Sequence, residues 1–203
     1  MPYRVCCCKA ACLSAKVDLA NHYLVGSIFK YMEFHTQRLS LKPLIISHAE
    51  ALFAYRSDPE TNRFQGWIPD SLEEVQAFIE KQPQAFNLPD TWYQLGILLQ
   101  AENCLIGDLG VHFVGREKLE LGITIAKAYH RQGFAREAFH AIIDYAFTEV
   151  GKKSIHASID PENIASRQLL HSLGFQKTGF AAKSLFLRGE WRDDEQYTFL
   201  FRN

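Results

Sequence analysis

A chain of 203 residues, 47% apolar and 22% charged, has the make-up of a globular domain long enough to bury one core. Its formal net charge of −1, with acids and bases interspersed, argues against nucleic acid or an anionic membrane surface as the main partner. No apolar run approaches the roughly 20 residues of a membrane span, so the expectation is a soluble protein.

Residues 1–32 differ in pattern from the rest of the chain. Cys6, Cys7, Cys8 and Cys12 crowd there, and the apolar stretches are broken by Lys9, Lys16 and Asp18, unlike a signal peptide. Adjacent cysteines without a nearby histidine do not fit common zinc spacings, and Cys104 alone cannot complete a disulfide framework. No metal is expected, and a reducing cytoplasm is the simplest setting. Leu19–Tyr31 could form a short helix with mixed faces, and the ordered body begins near Met32.

Arg38–Pro43 alternates like an opening strand. Ser47-His-Ala-Glu50 and Ser71-Leu-Glu-Glu74 are capping-box signatures for two helices, separated by a breaker-rich loop over 58–70. Arg63, Phe64 and Trp67 of that loop either line a cleft or pack on the helices. Trp92–Leu99 and Cys104–Val114 read as strands joined by a polar turn. Gly115–Lys118 then turns into a central strand, Leu119–Ile125. There Leu119, Leu121, Ile123 and Ile125 share one face and Glu120 takes the other.

The turn Ala128–Ala135 opens a long helix. Its Ala135, Ala138, Phe139, Ile142, Ile143, Ala146, Phe147 and Val150 fall on one face, with Gly151 as the stop. Ser154–Ile159 is a strand reached by a crossover long enough for parallel pairing with the central strand. Asn163–Leu173 is a helix closed by Gly174, and Phe180–Leu187 with Glu195–Phe201 form a hairpin. The fold class is α+β, with a mixed, mostly antiparallel sheet.

A helix that begins directly after Arg131-Gln-Gly-Phe-Ala135 exposes main-chain N–H groups with no partner inside the helix. With the positive end of the helix dipole, they can seat a phosphate. Gly133 and Ala135 keep side chains clear, and Arg131 adds positive charge. An ordinary strand-to-helix connection would look the same from this loop alone.

The order strand, His130-Arg-Gln-Gly-Phe-Ala135, long helix, strand, Asn163-Ile-Ala-Ser166, then Leu173-Gly-Phe175 resembles the GNAT superfamily of acetyl-CoA-dependent N-acetyltransferases. It resembles most the RimL-like branch of ribosomal-protein N-terminal acetyltransferases. Arg38-Leu39, Asp58-Pro-Glu60 and Gly189-Glu-Trp-Arg-Asp193 mirror that branch's opening, loop and closing hairpin. The resemblance spans Phe34 to the end. It implies an acetyltransferase domain over 33–203 behind an extension over 1–32. The implied sheet has seven strands flanked by helices, with two central parallel strands splayed apart.

The resemblance also implies a site. Pantetheine would bond main-chain groups of Ile123, Thr124 and Ile125, and the diphosphate would sit on N–H groups of Arg131, Gln132, Gly133, Phe134 and Ala135. Asn163 matches the family asparagine that bonds the pantetheine arm, although an N-cap reading is also open. Glu120 matches the branch's glutamate and would act as general base through a water, unless it is a solvated or salt-bridged strand residue. Ser166 matches the branch serine that would donate to the departing thiolate, or is a helix-surface serine. The tyrosine that many GNAT enzymes carry four positions later is replaced by Leu170. His130 stands where the family loop begins with Gln or Arg, a small departure for a loop that binds through its backbone.

The implied partners are acetyl-CoA and a primary-amine acceptor, without nucleic acid, membrane or metal, and family analogy allows a homodimer. An α-amine near pKa 8 costs about 1 kcal/mol to deprotonate at pH 7, and a lysine near 10.4 about 4.6 kcal/mol. A carboxylate acting through water suits the first better, so a protein N-terminus is the expected acceptor. The alternatives are a small amine, such as a polyamine or an aminoglycoside, and a CoA-binding sensor without catalysis. A chain starting at Met32 is expected to stay soluble and active; aggregation or loss of turnover on removing residues 1–31 would show that the leading segment takes part.

Overall fold

Alternating apolar side chains from Phe34 onward build a single sheet, ordered β1-β2-β3-β4-β5-β6-β8-β7. The strands are β1 (Phe34–His35), β2 (Leu39–Pro43), β3 (Trp92–Leu99), β4 (Cys104–Val114), β5 (Lys118–Ile125), β6 (Ser154–Ile159), β7 (Gln176–Leu187) and β8 (Glu190–Leu200). The computed structural model describes residues 32–83 and 85–201. The readings for residues 1–31, including the Leu19–Tyr31 helix and the four leading cysteines, lie outside the described residues. All neighbouring strands are antiparallel except β5 and β6. The sheet has eight strands against the expected seven, because Phe34–His35 adds a two-residue edge strand too short to show a period.

Among the described residues, four α-helices cover the sheet: α1 (Ala49–Arg56), α2 (Leu72–Glu80), α3 (Phe134–Thr148) and α4 (Ile164–Leu173). The odd-numbered side chains of β5 join Phe134, Ala138, Phe139, Ile142 and Leu170 in the main core, so α3 and α4 lie on one face. A second cluster, with Leu44, Leu52, Val75 and Ile79, holds α1 and α2 on the opposite face. Glu120, on an even position of β5, therefore points to the α1–α2 side.

The two helix-start signatures fare differently. Ser71 caps α2, accepting from Glu74 N at 3.2 Å, while the Glu74 carboxylate accepts from Asp70 N at 2.9 Å and Trp67 Nε1 at 2.7 Å. Ser47 caps nothing. It lies inside a 3₁₀ turn, Ile46–His48, whose backbone is incompatible with the extended cap conformation, and α1 starts after His48 without a side-chain cap. The long helix α3 ends at Thr148, two residues short of the expected Val150. Lys152 N then bonds Ala146 O at 2.8 Å around Gly151, whose φ is +68°. The β7–β8 hairpin is longer than its expected strands. It turns at Arg188-Gly189 with φ +48° and +86°, the type I′ pattern, but polar residues on both faces of 190–194 hide the alternation.

A buried charge cluster fastens α1 to the sheet. Asp108, on the same face of β4 as α1, accepts from Tyr55 Oη at 2.7 Å, from Arg56 Nε at 3.0 Å, from a second Arg56 nitrogen and from Gln94 Nε2. Arg56 is 7% exposed and Asp108 1%. Burial and the adjacent carboxylate push the Tyr55 hydroxyl well above its ordinary range. Asp108→Ala would leave a buried guanidinium without its counter-charge, with an expected loss of about 3–5 kcal/mol in urea unfolding; a loss below about 1 kcal/mol, the scale of an exposed pair, would contradict this.

Candidate active site

Strands β5 and β6 pair at only three positions, Lys118↔Ser154, Leu119↔Ile155 and Glu120↔His156. Beyond them β5 keeps its partner β4 as far as Ile125, and β6 keeps β8 as far as Ile159. The two central strands therefore part. Leu121, Gly122, Ile123, Ala157 and Ser158 line a cavity of about 140 Å³ there, with Phe139 and Leu170 also in its lining.

The ladder decides which groups face the gap. Ala126 N bonds Ile106 O at 2.8 Å, so in this register Thr124–Asp108 and Gly122–Gly110 are the closely bonded pairs. Main-chain groups of Ile123 and Ile125 thus point away from β4, toward β6. The Ile123 carbonyl accepts from Gln65 Nε2 at 3.2 Å and the Ile125 carbonyl from His130 Nε2 at 2.7 Å. Both N–H groups lack an acceptor among the described residues. Thr124 differs from the expected pantetheine role because its main chain is turned toward β4. Its hydroxyl, on the α1–α2 side, is buried without a partner among the described residues.

Past β5 the chain makes a 3₁₀ turn, Lys127–Tyr129, and enters α3 through residues 130–133. Arg131 and Gly133 both take left-handed backbone, φ +59° and +82°. Among the described residues, none of the N–H groups of Arg131 through Arg136 has an acceptor, a concave row of donors at a helix start suited to a diphosphate. Phe134 is buried in the core, so it anchors the loop and offers only its main chain. Gln132 Nε2 bonds Ala128 O at 3.1 Å, closing the turn on itself.

A clamp unforeseen in the sequence holds this loop. Arg38 donates Nε to Glu137 Oε2 at 2.7 Å and Nη1 to Gln132 O at 3.1 Å, with its guanidinium 4.3 Å from the Phe134 ring centre. Thr36 Oγ1 and Arg38 N both donate to Glu137 Oε1, at 2.5 and 2.9 Å. Glu137 in the first turn of α3 is already accounted for by the helix dipole, so no local signal points to the clamp.

Asn163 is the N-cap of α4, its Oδ1 accepting from Ser166 N at 3.1 Å. Only the oxygen is used, so the amide nitrogen keeps its two donors and the two expected roles do not compete. Asn163 and Ser166 both line the gap, as does Leu170, an aliphatic residue with no proton to give. Arg167 fixes this turn, bonding Glu195 Oε2 at 3.0 Å and Pro161 O at 2.6 Å.

Glu120 stands at the last paired position before the strands part, with its Oε2 3.2 Å from His112 Nδ1. Phe64, Gln65, Leu185 and Leu187 add walls to the cavity from the α1–α2 loop and the hairpin. Arg188 Nη2 joins those walls by donating to Arg63 O at 2.8 Å. Of the loop aromatics, Phe64 reaches the cavity, whereas Trp67 stacks on Phe78 at 4.5 Å.

Burial alone would raise the Glu137 carboxyl, but hydrogen bonds from Thr36 and Arg38 outweigh it and hold the group below its usual range. The clamp's contribution is therefore complete above the ordinary glutamate pKa of about 4.3 and is lost as pH falls through the depressed value. Arg38→Leu is expected to lower the melting temperature at pH 7, with the gap from the parent chain shrinking as pH falls below the ordinary glutamate range. A gap undiminished by acid would contradict the clamp.

Known families share this geometry. Residues 38–176 match the family described as "Acetyltransferase (GNAT) domain". The chain is 30% identical over 173 residues to an uncharacterized N-acetyltransferase, YnaD, of Bacillus subtilis (strain 168), covering 83% of this chain and 97% of that protein. A GNAT-family acetyltransferase from Bacillus anthracis superposes with a TM-score of 0.75 at 26% identity, over 83% of this chain and 98% of that one. The [ribosomal protein uS5]-alanine N-acetyltransferase of Escherichia coli (strain K12) is 37% identical over 73 residues, 36% of this chain and 38% of that protein. Parted strands, bare amides before α3 and a family match across the whole arrangement lead to one conclusion: the chain belongs to the GNAT acetyltransferase family and is an acetyl-CoA-dependent acyltransferase.

Proposed function

We propose that this enzyme acetylates a protein N-terminal α-amine, as a member of the RimL-like branch, with Glu120 as the base acting through a water. The observation that carries this reading is the place of Glu120, on the α1–α2 side of the sheet at the point where the β5–β6 ladder stops. Bound acetyl-CoA supplies an activated thioester, and the remaining work falls to the chain. Ile123 and Ile125 offer N–H groups to the pantetheine arm, and Ile123 N–H would polarise the carbonyl. Asn163 Nδ2 adds a further donor to the arm. Residues 131–135 seat the diphosphate, and Ser166 donates to the leaving sulfur.

The α-amine preference follows from proton affinity. A single carboxylate acting through water can deprotonate a group of pKa about 8 at modest cost, and a lysine only at a much larger one. The 37% identity to the uS5-alanine enzyme over 73 residues supports the same acceptor class. A small amine is the second reading, favoured by the Arg188–Arg63 bond that ties the hairpin wall to the α1–α2 loop. The sensor alternative is set aside by membership in an acetyltransferase family.

Thiol release from acetyl-CoA should be measured with peptides bearing a free N-terminus, with N-blocked peptides carrying lysine, and with spermidine. Turnover is expected on the free N-termini, and Glu120→Gln should lower kcat about 100-fold with little change in KM for acetyl-CoA. Equal turnover on blocked lysine peptides, or exclusive turnover of spermidine, would contradict the acceptor assignment.

A further inference from the structure

The register places five side chains in one row across five strands on the α1–α2 face: Trp92, His112, Glu120, His156 and Thr198. Glu120 thus has a histidine on each side, and the two histidines are held differently. Both ring nitrogens of His156 meet hydroxyls, Nε2 with Ser154 Oγ at 2.8 Å and Nδ1 with Thr198 Oγ1 at 3.2 Å. Burial, aided by Lys118, lowers its pKa against the opposing pull of Glu120. His156 is a fixed, neutral strand residue.

His112 instead directs Nδ1 at Glu120 Oε2, 3.2 Å away, and its ring lies on Trp92 with centroids 4.8 Å apart and planes 11° from parallel. Its Nε2 has no partner among the described residues. An ionised carboxylate can only accept, so Nδ1 carries the hydrogen. The pair is partly exposed, at 23% and 34% of the side chains. Such a pair adds little to folding, whereas a misplaced base costs rate.

We propose that His112 is the positioning residue of the transfer site: stacked on Trp92, it donates Nδ1–H to Glu120 Oε2, fixing the carboxylate and leaving Oε1 to receive the amine's proton through the intervening water. This rests on Glu120 as base. Three replacements at one position test it. His112→Ala removes the donor; His112→Asn puts an amide N–H near the Nδ1 place; His112→Gln puts one near Nε2, away from Glu120.

Measured with acetyl-CoA and the best free-amine peptide, kcat is expected to fall about tenfold in the Ala and Gln variants and to recover to within about threefold of the parent in Asn. KM for acetyl-CoA and the melting temperature should hold in all three. Should the Ala variant fail to fold, the Asn–Gln contrast carries the test. Equal kcat in Asn and Gln, alongside an inactive Glu120→Gln, would overturn the role of His112 and leave Glu120 as base. Full activity in Glu120→Gln would overturn the base assignment itself, and the positioning role with it.

Discussion

A β-strand that parts from its neighbour leaves main-chain donors facing an opening, and unpaired donors away from water are costly. The rest of this molecule is arranged around that cost at β5. The ladder to β6 stops after Glu120, while the ladders to β4 and β8 continue and keep each strand straight and in place. Two carbonyls at the opening are satisfied from within, by Gln65 and His130. The N–H groups of Ile123 and Ile125 are not, and the loop before α3 adds a further row of donors. A ligand that is an acceptor along its length and anionic at one end satisfies both sets together.

The two faces of the sheet divide the labour. On the α3–α4 side, Phe134 is sunk in the core and Arg38 ties Glu137 to Gln132, so the amide row is held by packing and by charge from the β1–β2 turn. On the α1–α2 side, the Asp108–Arg56 cluster seats α1 and so positions the loop after it, whose Phe64 and Gln65 reach the gap. Glu120 belongs to the second face because strand side chains alternate. A one-residue slip of β5 would bury it and turn Ile123 outward.

Much of this was legible in the sequence where a period or a special backbone was at stake. β3, β4 and β6 keep their expected bounds to the residue, and Gly151 and Gly174 take the left-handed turns that close the helices before them. The odd–even pattern alone placed Glu120 opposite the core. Interactions between distant segments were not legible. Ser47 looked like a cap, but the chain entering from β2 forces a 3₁₀ turn there. Thr124 was grouped with its neighbours because a motif does not say which peptide faces which strand; only the register to β4 does. Arg38, Glu137, Gln65 and His112 act across 58 to 99 positions or through a cross-strand neighbour, and no local pattern announces such pairs. Asp108 did carry a clue: a carboxylate inside the apolar run of β4 must have a buried partner.

The central claim is that the parted ladder at Ile123 and Ile125, with the row from Arg131 to Ala135, receives the thioester cofactor. Amide hydrogen exchange read residue by residue, with and without acetyl-CoA, tests this most directly. The account predicts that Ile123, Ile125 and the amides of 131–135 exchange faster in the free protein and become protected on binding, while Thr124, already bonded to β4, stays slow throughout. Saturating acetyl-CoA that leaves those amides unprotected, or that protects a different edge of the sheet, would contradict it.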